Sequence, residues 1–133
     1  RMTGKIEFEL VSPEKLIVSE LVEMVVVPGM EGDLGVLPGH SPLISVVRPG
    51  VINVYEAGSV KNSIFVAGGF CEVEPERCTV LAVEAVPVGE IDSAEALKRD
   101  SDARQLEAGD HINDVEVETE QRIAQAMLAA VTD

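Results

Sequence analysis

Three observations predict a mainly β fold with an α appendage: a β-sandwich over residues 1–89, followed by an antiparallel two-helix hairpin over residues 90–133. Apolar and polar residues alternate with period two in several short runs of the first part. Pro-Gly pairs at 28–29, 38–39 and 49–50 punctuate those runs at intervals that suit strands and turns. Beyond residue 89 the punctuation stops. All 7 prolines lie at or before Pro87, only Gly109 of the 11 glycines lies later, and helix-capping patterns take over.

In chain order, Ile6, Phe8 and Leu10 alternate with Glu7 and Glu9, the pattern of a half-buried strand. Leu21 to Val27 is rich in β-branched residues and is expected to end at Pro28-Gly29. Val51 to Tyr55 and Ile64 to Ala67 repeat the strand pattern. One hairpin has a definite register. Glu74-Pro75-Glu76-Arg77 suits a turn with proline in its second position, which sets Glu74 opposite Arg77 and Val73 opposite Cys78. Cys71, Val73, Cys78 and Val80 then share the inner face, while Glu72, Glu74, Arg77 and Thr79 share the outer one. The two thiols read as small buried hydrophobes, with a redox pair as the alternative.

Asp92-Ser93-Ala94-Glu95 has the form of a capping box opening the first helix. Glu95 with Arg99, and Asp100 with Arg104, are spaced as i,i+4 ion pairs, and Gly109 is placed to end that helix. Asn113 to Glu116 open a second helix, whose Val117, Ala124, Leu128 and Val131 share a face widened by Ile123 and Met127. The first helix offers only Ala94 and Leu97 before Ser101 and Arg104 interrupt its stripe. So thin a seam predicts weak docking and a mobile hairpin.

Charge narrows the partners. The chain of 133 residues carries 24 acidic and 10 basic side chains, a net charge of −14. That excess repels phosphate backbones and anionic membrane surfaces, so neither nucleic acid nor direct insertion into lipid is expected. It is uneven: residues 1–89 hold 12 acids and 6 bases, residues 90–133 hold 12 acids and 4 bases. The 46% hydrophobic content is too high for a disordered acidic tail. No apolar run approaches the roughly 18 residues of a membrane span, and no basic, apolar export signal opens the chain. Two cysteines are too few for a disulfide scaffold or a four-ligand zinc site and fit a reducing, cytoplasmic compartment.

Catalytic chemistry is hard to find. The histidines, His40 and His111, sit in no metal-spaced cluster and beside no nucleophile elbow. Gly29 to Gly35 is glycine-rich but matches neither the dinucleotide fingerprint nor a Walker loop, and reads as a turn between strands. Gly68-Gly69 reads as a bulge or tight corner. A non-enzymatic binding or structural role follows, with no cofactor and no metal. The two classes left open are a coupling subunit of an assembly and a stand-alone β-sandwich binding module with a helical oligomerisation tail. The 3% aromatic content weighs against a carbohydrate-binding module.

The run from Val26 through Pro28-Gly29-Met30-Glu31-Gly32-Asp33-Leu34-Gly35 to Pro38-Gly39-His40-Ser41-Pro42-Leu43, continuing to Arg48-Pro49-Gly50, resembles the epsilon subunit of F-type ATP synthases, the counterpart of the mitochondrial delta subunit. Phe8 to Glu14, Val66 to Phe70 and Thr79 to Ala82 resemble the same family in the same order, in the style of alphaproteobacterial members. The resemblance covers residues 6–88 by motif and the remainder by architecture. It implies a ten-stranded β-sandwich and a helical hairpin in a non-catalytic rotor subunit of the central stalk. Such a subunit is a peripheral part of the complex at the cytoplasmic face of the bacterial inner membrane. It links the gamma subunit to the c-subunit ring and couples proton translocation to ATP synthesis.

By that resemblance, Glu31, Gly32, Asp33 and Leu34 contact the c ring, with an exposed Leu34 giving an apolar contact and Asp33 a charge. Gly39, His40, Ser41 and Pro42 face gamma, with local packing in a turn as the plainer role for His40. Relatives carry Ile/Leu-Asp-x-x-Arg-Ala at the start of the first helix as a site for regulatory ATP. Here Ile91, Asp92, Glu95 and Ala96 hold those positions, and Glu95 replaces the arginine, which predicts no useful ATP binding. In relatives the hairpin also reaches the alpha and beta subunits through basic residues. The second helix here sets Arg122 against Glu116, Glu118 and Glu120, which predicts weak or absent inhibition of ATP hydrolysis.

Overall fold

The computed structural model describes residues 4–109 and 114–132; His111 and Asn113 fall outside them. Ten strands precede two helices: β1 (Ile6–Val11), β2 (Leu16–Val22), β3 (Met24–Gly29), β4 (Gly32–Val36), β5 (Leu43–Val47), β6 (Gly50–Glu56), β7 (Ser59–Val66), β8 (Gly69–Glu74), β9 (Arg77–Ala82), β10 (Ala85–Pro87), α1 (Ser93–Gly109) and α2 (Asp114–Thr132). A short 3₁₀ turn, Val88–Glu90, joins the strands to α1.

The strands form a sandwich whose hydrogen-bonded order runs β10-β7-β6-β3-β5-β8-β9-β1-β2, with β4 beside β3. Neighbours pair antiparallel, apart from the parallel β1–β9 pair. The alternation read in β1 is realised: Ile6, Phe8 and Leu10 are fully buried. They meet Val22, Val25, Val27, Val36, Ile52, Val54 and Val80 in one core. Each such side chain contributes about 1.5–3 kcal/mol relative to exposure. The β8–β9 hairpin has the expected register, Glu74 opposite Arg77 and Val73 opposite Cys78. Cys71 and Cys78 are free, buried and diagonal across it, with Sγ atoms 3.7 Å apart. Sharing a proton with Cys78 lowers the Cys71 pKa, while that same bond and burial push Cys78 up.

One expectation for this part needs correcting. The β-branched run 21–27 is two strands, broken at Glu23. The Glu23 carboxylate caps the next turn over, accepting 2.7 Å from the Ala57 N–H, where Ala57 takes φ +53° ahead of Gly58. The third strand ends at Pro28-Gly29 as expected; Pro28 lies near the strand's end, where its missing N–H is tolerated and its carbonyl accepts from the Arg48 N–H at 2.8 Å.

The helices differ from their expected pairing more than from their expected position. Asp92 caps α1, its Oδ1 accepting from the Ala94 N–H at 2.9 Å. Arg104 pairs with the buried Asp100 at 2.9 Å, and Lys98 pairs with Asp102, which raises the lysine pKa. Arg99 does not pair with Glu95; it reaches Glu84 and Glu120 instead. The buried stripe of α1 is Ala96, Asp100 and Ala103, one position away from the Ala94–Leu97 stripe, because Leu97 points to solvent. On α2, Ile123, Ala124 and Met127 are buried as expected. Ile123 and Met127 form a second core with Ala96 and with Phe65 and Ala67 of the sandwich. The C-terminal end of β7 is therefore covered on both sides: Ile64 and Val66 face the sandwich core, and Phe65 faces the helices.

Candidate functional site

The segment 30–34 is the tip of the β3–β4 hairpin. Gly29 pairs with Gly32 across a two-residue loop, Met30-Glu31. The chain must pass tightly here: a Cβ on Gly29 would come within 2.7 Å of the Gly32 carbonyl oxygen, and Gly32 takes φ +136°. Glu31, Gly32 and Asp33 are exposed. Leu34 is not the exposed contact expected of it, being half-buried against the sandwich core. Strand alternation explains why: Leu34 sits opposite the buried Val27. The exposed apolar side chain at this tip is Met30. Asp33 is already engaged by Arg48, Nη2 to Oδ1 at 2.7 Å, while Arg48 Nη1 donates to the Gly29 carbonyl. A cleft of about 460 Å³ lies between Met30, Arg48 and Pro49 and the α2 residues Arg122, Gln125 and Ala126, so α2 passes beside the tip.

The segment 39–42 connects β4 to β5 at the far end of the same sheet. Gly39, at φ +87°, donates from its N–H to the Pro75 carbonyl at 2.7 Å, which ties the loop to the β8–β9 turn. Ser41 and Pro42 are exposed. His40 is half-buried, and its Nδ1–H donates to the Ser41 carbonyl at 2.8 Å, so its ring packs locally. The two candidate segments do not converge. The tip adjoins the C-terminal end of β5, where the Met30 N–H donates to the Val46 carbonyl at 2.9 Å. The 39–42 loop leads into the other end of β5, at Leu43. The length of that strand, about 16 Å, separates them.

Between them lies a surface that the sequence reading passed over. The registers of β5, β8, β9, β1 and β2 set Val46, Phe70, Leu81, Val11 and Leu16 in one row on the outer face. Phe70 is 57% exposed and Leu81 54%; Ile44, in the next row, is 72% exposed. An apolar row across five strands is more than scattered surface apolarity. Its signal was present: extending the outer face of Glu72 and Thr79 by two residues along each strand reaches Phe70 and Leu81.

The positions Ile91, Asp92, Glu95 and Ala96 open α1. Asp92 is occupied by its capping bond, Ala96 is fully buried against α2, and Glu95 is exposed. Among the described residues, no group of three or more His, Cys, Asp and Glu side chains could hold a metal ion. No described helix is long and apolar enough to cross a membrane.

Residues 5–88 match the family described as ATP synthase, Delta/Epsilon chain, beta-sandwich domain. Over 137 aligned residues the chain is 50% identical to the ATP synthase epsilon chain of Paramagnetospirillum magneticum, covering 98% of this chain and 99% of that one. It is 52% identical over 132 residues to the epsilon chain of Rhodospirillum rubrum, covering 97% and 98%. A chain in a c-ring-containing structure of the Euglena gracilis mitochondrial ATP synthase matches with a TM-score of 0.82 and 29% identity, over 96% of this chain and 82% of that one. A chain in the central stalk and c-ring structure from Tetrahymena thermophila shares the fold, with a TM-score of 0.66 at 15% identity and 96% coverage of both.

Proposed function

The chain belongs to the ATP synthase delta/epsilon family, and on that premise we propose that it is a non-catalytic rotor subunit joining gamma to the c ring. The observation that carries this reading is the pair of exposed segments at opposite ends of β5, with an apolar face between them. A subunit that transmits torque must grip two partners at separate places, and a rigid sandwich keeps those places at fixed separation.

Gamma takes the apolar face, Ile44 and the row beyond it through Val46, Phe70 and Leu81, together with Gly39, His40, Ser41 and Pro42, which lead into that face at Leu43. The c ring takes the tip, through Glu31, Gly32, Asp33 and Met30, with Leu34 supporting the turn from beneath. Asp33 presents its charge already fixed by Arg48, which preorganises the tip. The sandwich, residues 1–89, makes both contacts, and residues 90–133 are an appendage to it. The complex holds the chain peripherally at the membrane.

The test is capture of gamma. Phe70→Asp leaves the core untouched, because Phe70 points outward, and is expected to weaken gamma binding by about 30-fold or more. Capture by this variant at wild-type strength would sink the assignment of gamma to this face. A purified chain that ignored gamma and self-associated through its helices would favour the stand-alone binding module.

The regulatory parts of the reading rest on charge. Glu95 stands exposed where a triphosphate would need a cation, so calorimetric titration with ATP is expected to give no sub-millimolar affinity; a tighter isotherm would overturn this. On α2, Glu116, Glu118 and Glu120 outnumber Arg122. A hairpin so charged is a poor ligand for acidic segments of the alpha and beta subunits, and it inhibits ATP hydrolysis weakly or not at all.

A further inference from the structure

Two cysteines are all that the chain carries, and they touch. Cys71 lies on β8 and Cys78 on β9, with Sγ atoms 3.7 Å apart inside the sandwich. Their direct register partners are Val80 and Val73, so the sulfurs meet across the diagonal of the hairpin. A disulfide bond is about 2.05 Å long, so each sulfur has to move by less than about 1 Å to form one, which rotation about its own Cα–Cβ bond supplies.

The two sulfurs are not equivalent. Cys71 sits opposite Ser45 in the β5–β8 pair, and Ser45 is only half-buried. Among the described residues β5 pairs with β3 only at Gly29–Val47, which leaves Leu43 to Ser45 as an open edge. Leu43, on the same face as Ser45, is 37% exposed. The sandwich is therefore thinnest beside Cys71. Cys78 lies deeper, between the buried Phe8 of β1 and the buried Val73 of β8. Cys71 is also the first of the pair to ionise. The Cys78 S–H donates to its sulfur and lowers its pKa, while that bond and then burial raise Cys78. The thiolate is the nucleophilic form of cysteine, so Cys71 is the attacking sulfur and Cys78 the resolving one.

We propose that Cys71 and Cys78 are an oxidation site, at which a peroxide admitted beside Ser45 converts the pair to an intrachain disulfide joining β8 to β9. The Cys71 thiolate attacks one peroxide oxygen and the O–O bond breaks. The hydroxide that leaves takes up the proton Cys71 gave away and becomes water. Cys71 is then a sulfenic acid. The Cys78 sulfur attacks the Cys71 sulfur, the S–S bond forms as the S–O bond breaks, and the hydroxyl leaves with the Cys78 proton as a second water. The two sulfurs lose two electrons and the peroxide gains them. Both thiols are fully buried, so the reaction waits on local opening at the β5 edge and admits an oxidant close to water in size. The bond closes a short ring around the Pro75 turn and constrains the unfolded chain. A dithiol reductant reverses it by thiol–disulfide exchange. The site is a property of this chain alone and does not depend on which partners the sandwich grips.

Hydrogen peroxide added to the reduced full chain tests it. The wild type is expected to lose two hydrogens in its intact mass and to give a linked Cys71–Cys78 peptide on non-reducing digestion. Dithiothreitol should restore the starting mass. Cys78→Ala removes the resolving sulfur, so the Cys71 sulfenic acid should persist and be trapped by dimedone. Cys71→Ala should leave Cys78 slower to react by about tenfold or more. In a thermal melt the oxidised wild type should stand several degrees above the reduced chain. Two free thiols in the folded wild type at a peroxide dose that oxidises the urea-unfolded chain would overturn the proposal. So would equal reactivity of the two single variants, or a melt no higher after oxidation, which would mean that the strands must distort to close the bond.

Discussion

Gly69→Ala is expected to remove a large share of the chain's folding stability. Gly69 takes φ +144°, a conformation that side chains rarely adopt. Space forbids the substitution as firmly as backbone geometry does. A Cβ there would overlap the Leu81 carbonyl oxygen and lie 3.0 Å from the Ala82 Cα. Both are backbone atoms of the neighbouring strand, fixed by the Phe70–Leu81 and Gly69–Ala82 pairings, so neither can rotate aside. Relief would require β8 and β9 to separate where Cys71, Val80 and Ala82 close the core. A cost of about 4 kcal/mol or more follows, against a total stability of about 5–15 kcal/mol for a domain of this kind. Gly35→Ala is the control. No atom lies within 4 Å of its added Cβ, and its effect should stay within about 0.5 kcal/mol. Thermal melts of the two variants check this, and a Gly69→Ala protein melting within a few degrees of wild type would refute it.

Which parts of the fold were legible depended on whether the deciding contact was local. The β8–β9 hairpin could be placed to the residue, because proline in the turn and alternation in both strands agree, and each is written within ten residues. The period change near residue 90 likewise located both helices. The break at Glu23 was not legible, since the Leu21–Val27 run satisfies strand periodicity on both sides of it, and the partner that uses Glu23 is Ala57. The same holds for Arg99. Spacing nominates Glu95 four residues earlier, but a part-buried guanidinium gains more from two bidentate carboxylates than from one exposed helical neighbour. The α1 stripe was missed because Ala96, Asp100 and Ala103 carry little hydropathy.

At the candidate site, local motifs located the tip and the 39–42 loop, but not their surroundings. Leu34 was expected outside as part of the contact segment that the resemblance implies; the Val27–Leu34 pairing turns it inward. The row through Val46, Phe70 and Leu81 exists only once five strands are aligned, so no single strand displays it.

The same dependence on tertiary context sets the outcome expected for Phe65→Ala. Phe65 is fully buried, yet it belongs to the core shared with Ala96, Ile123 and Met127, while Ile64 and Val66 beside it belong to the sandwich core. Truncating a buried phenylalanine to alanine ordinarily costs about 3–5 kcal/mol. Here the sandwich need not bear that cost, because the helices can leave. The loss is capped by the free energy that docks the hairpin, and it falls on α1 and α2. Phe8→Ala has no such outlet: Phe8 is enclosed by the sandwich itself, so its cavity weakens every strand at once. Hydrogen exchange on the two variants separates the cases. Phe65→Ala should bring the amides of α1 and α2 close to free exchange and leave protection in β1, β8 and β9 nearly intact. Phe8→Ala should lower protection in those strands by the full amount. Equal loss of strand protection in both variants would mean that sandwich and hairpin unfold as one unit, and that Phe65 supports the whole fold rather than the attachment of the helices to it.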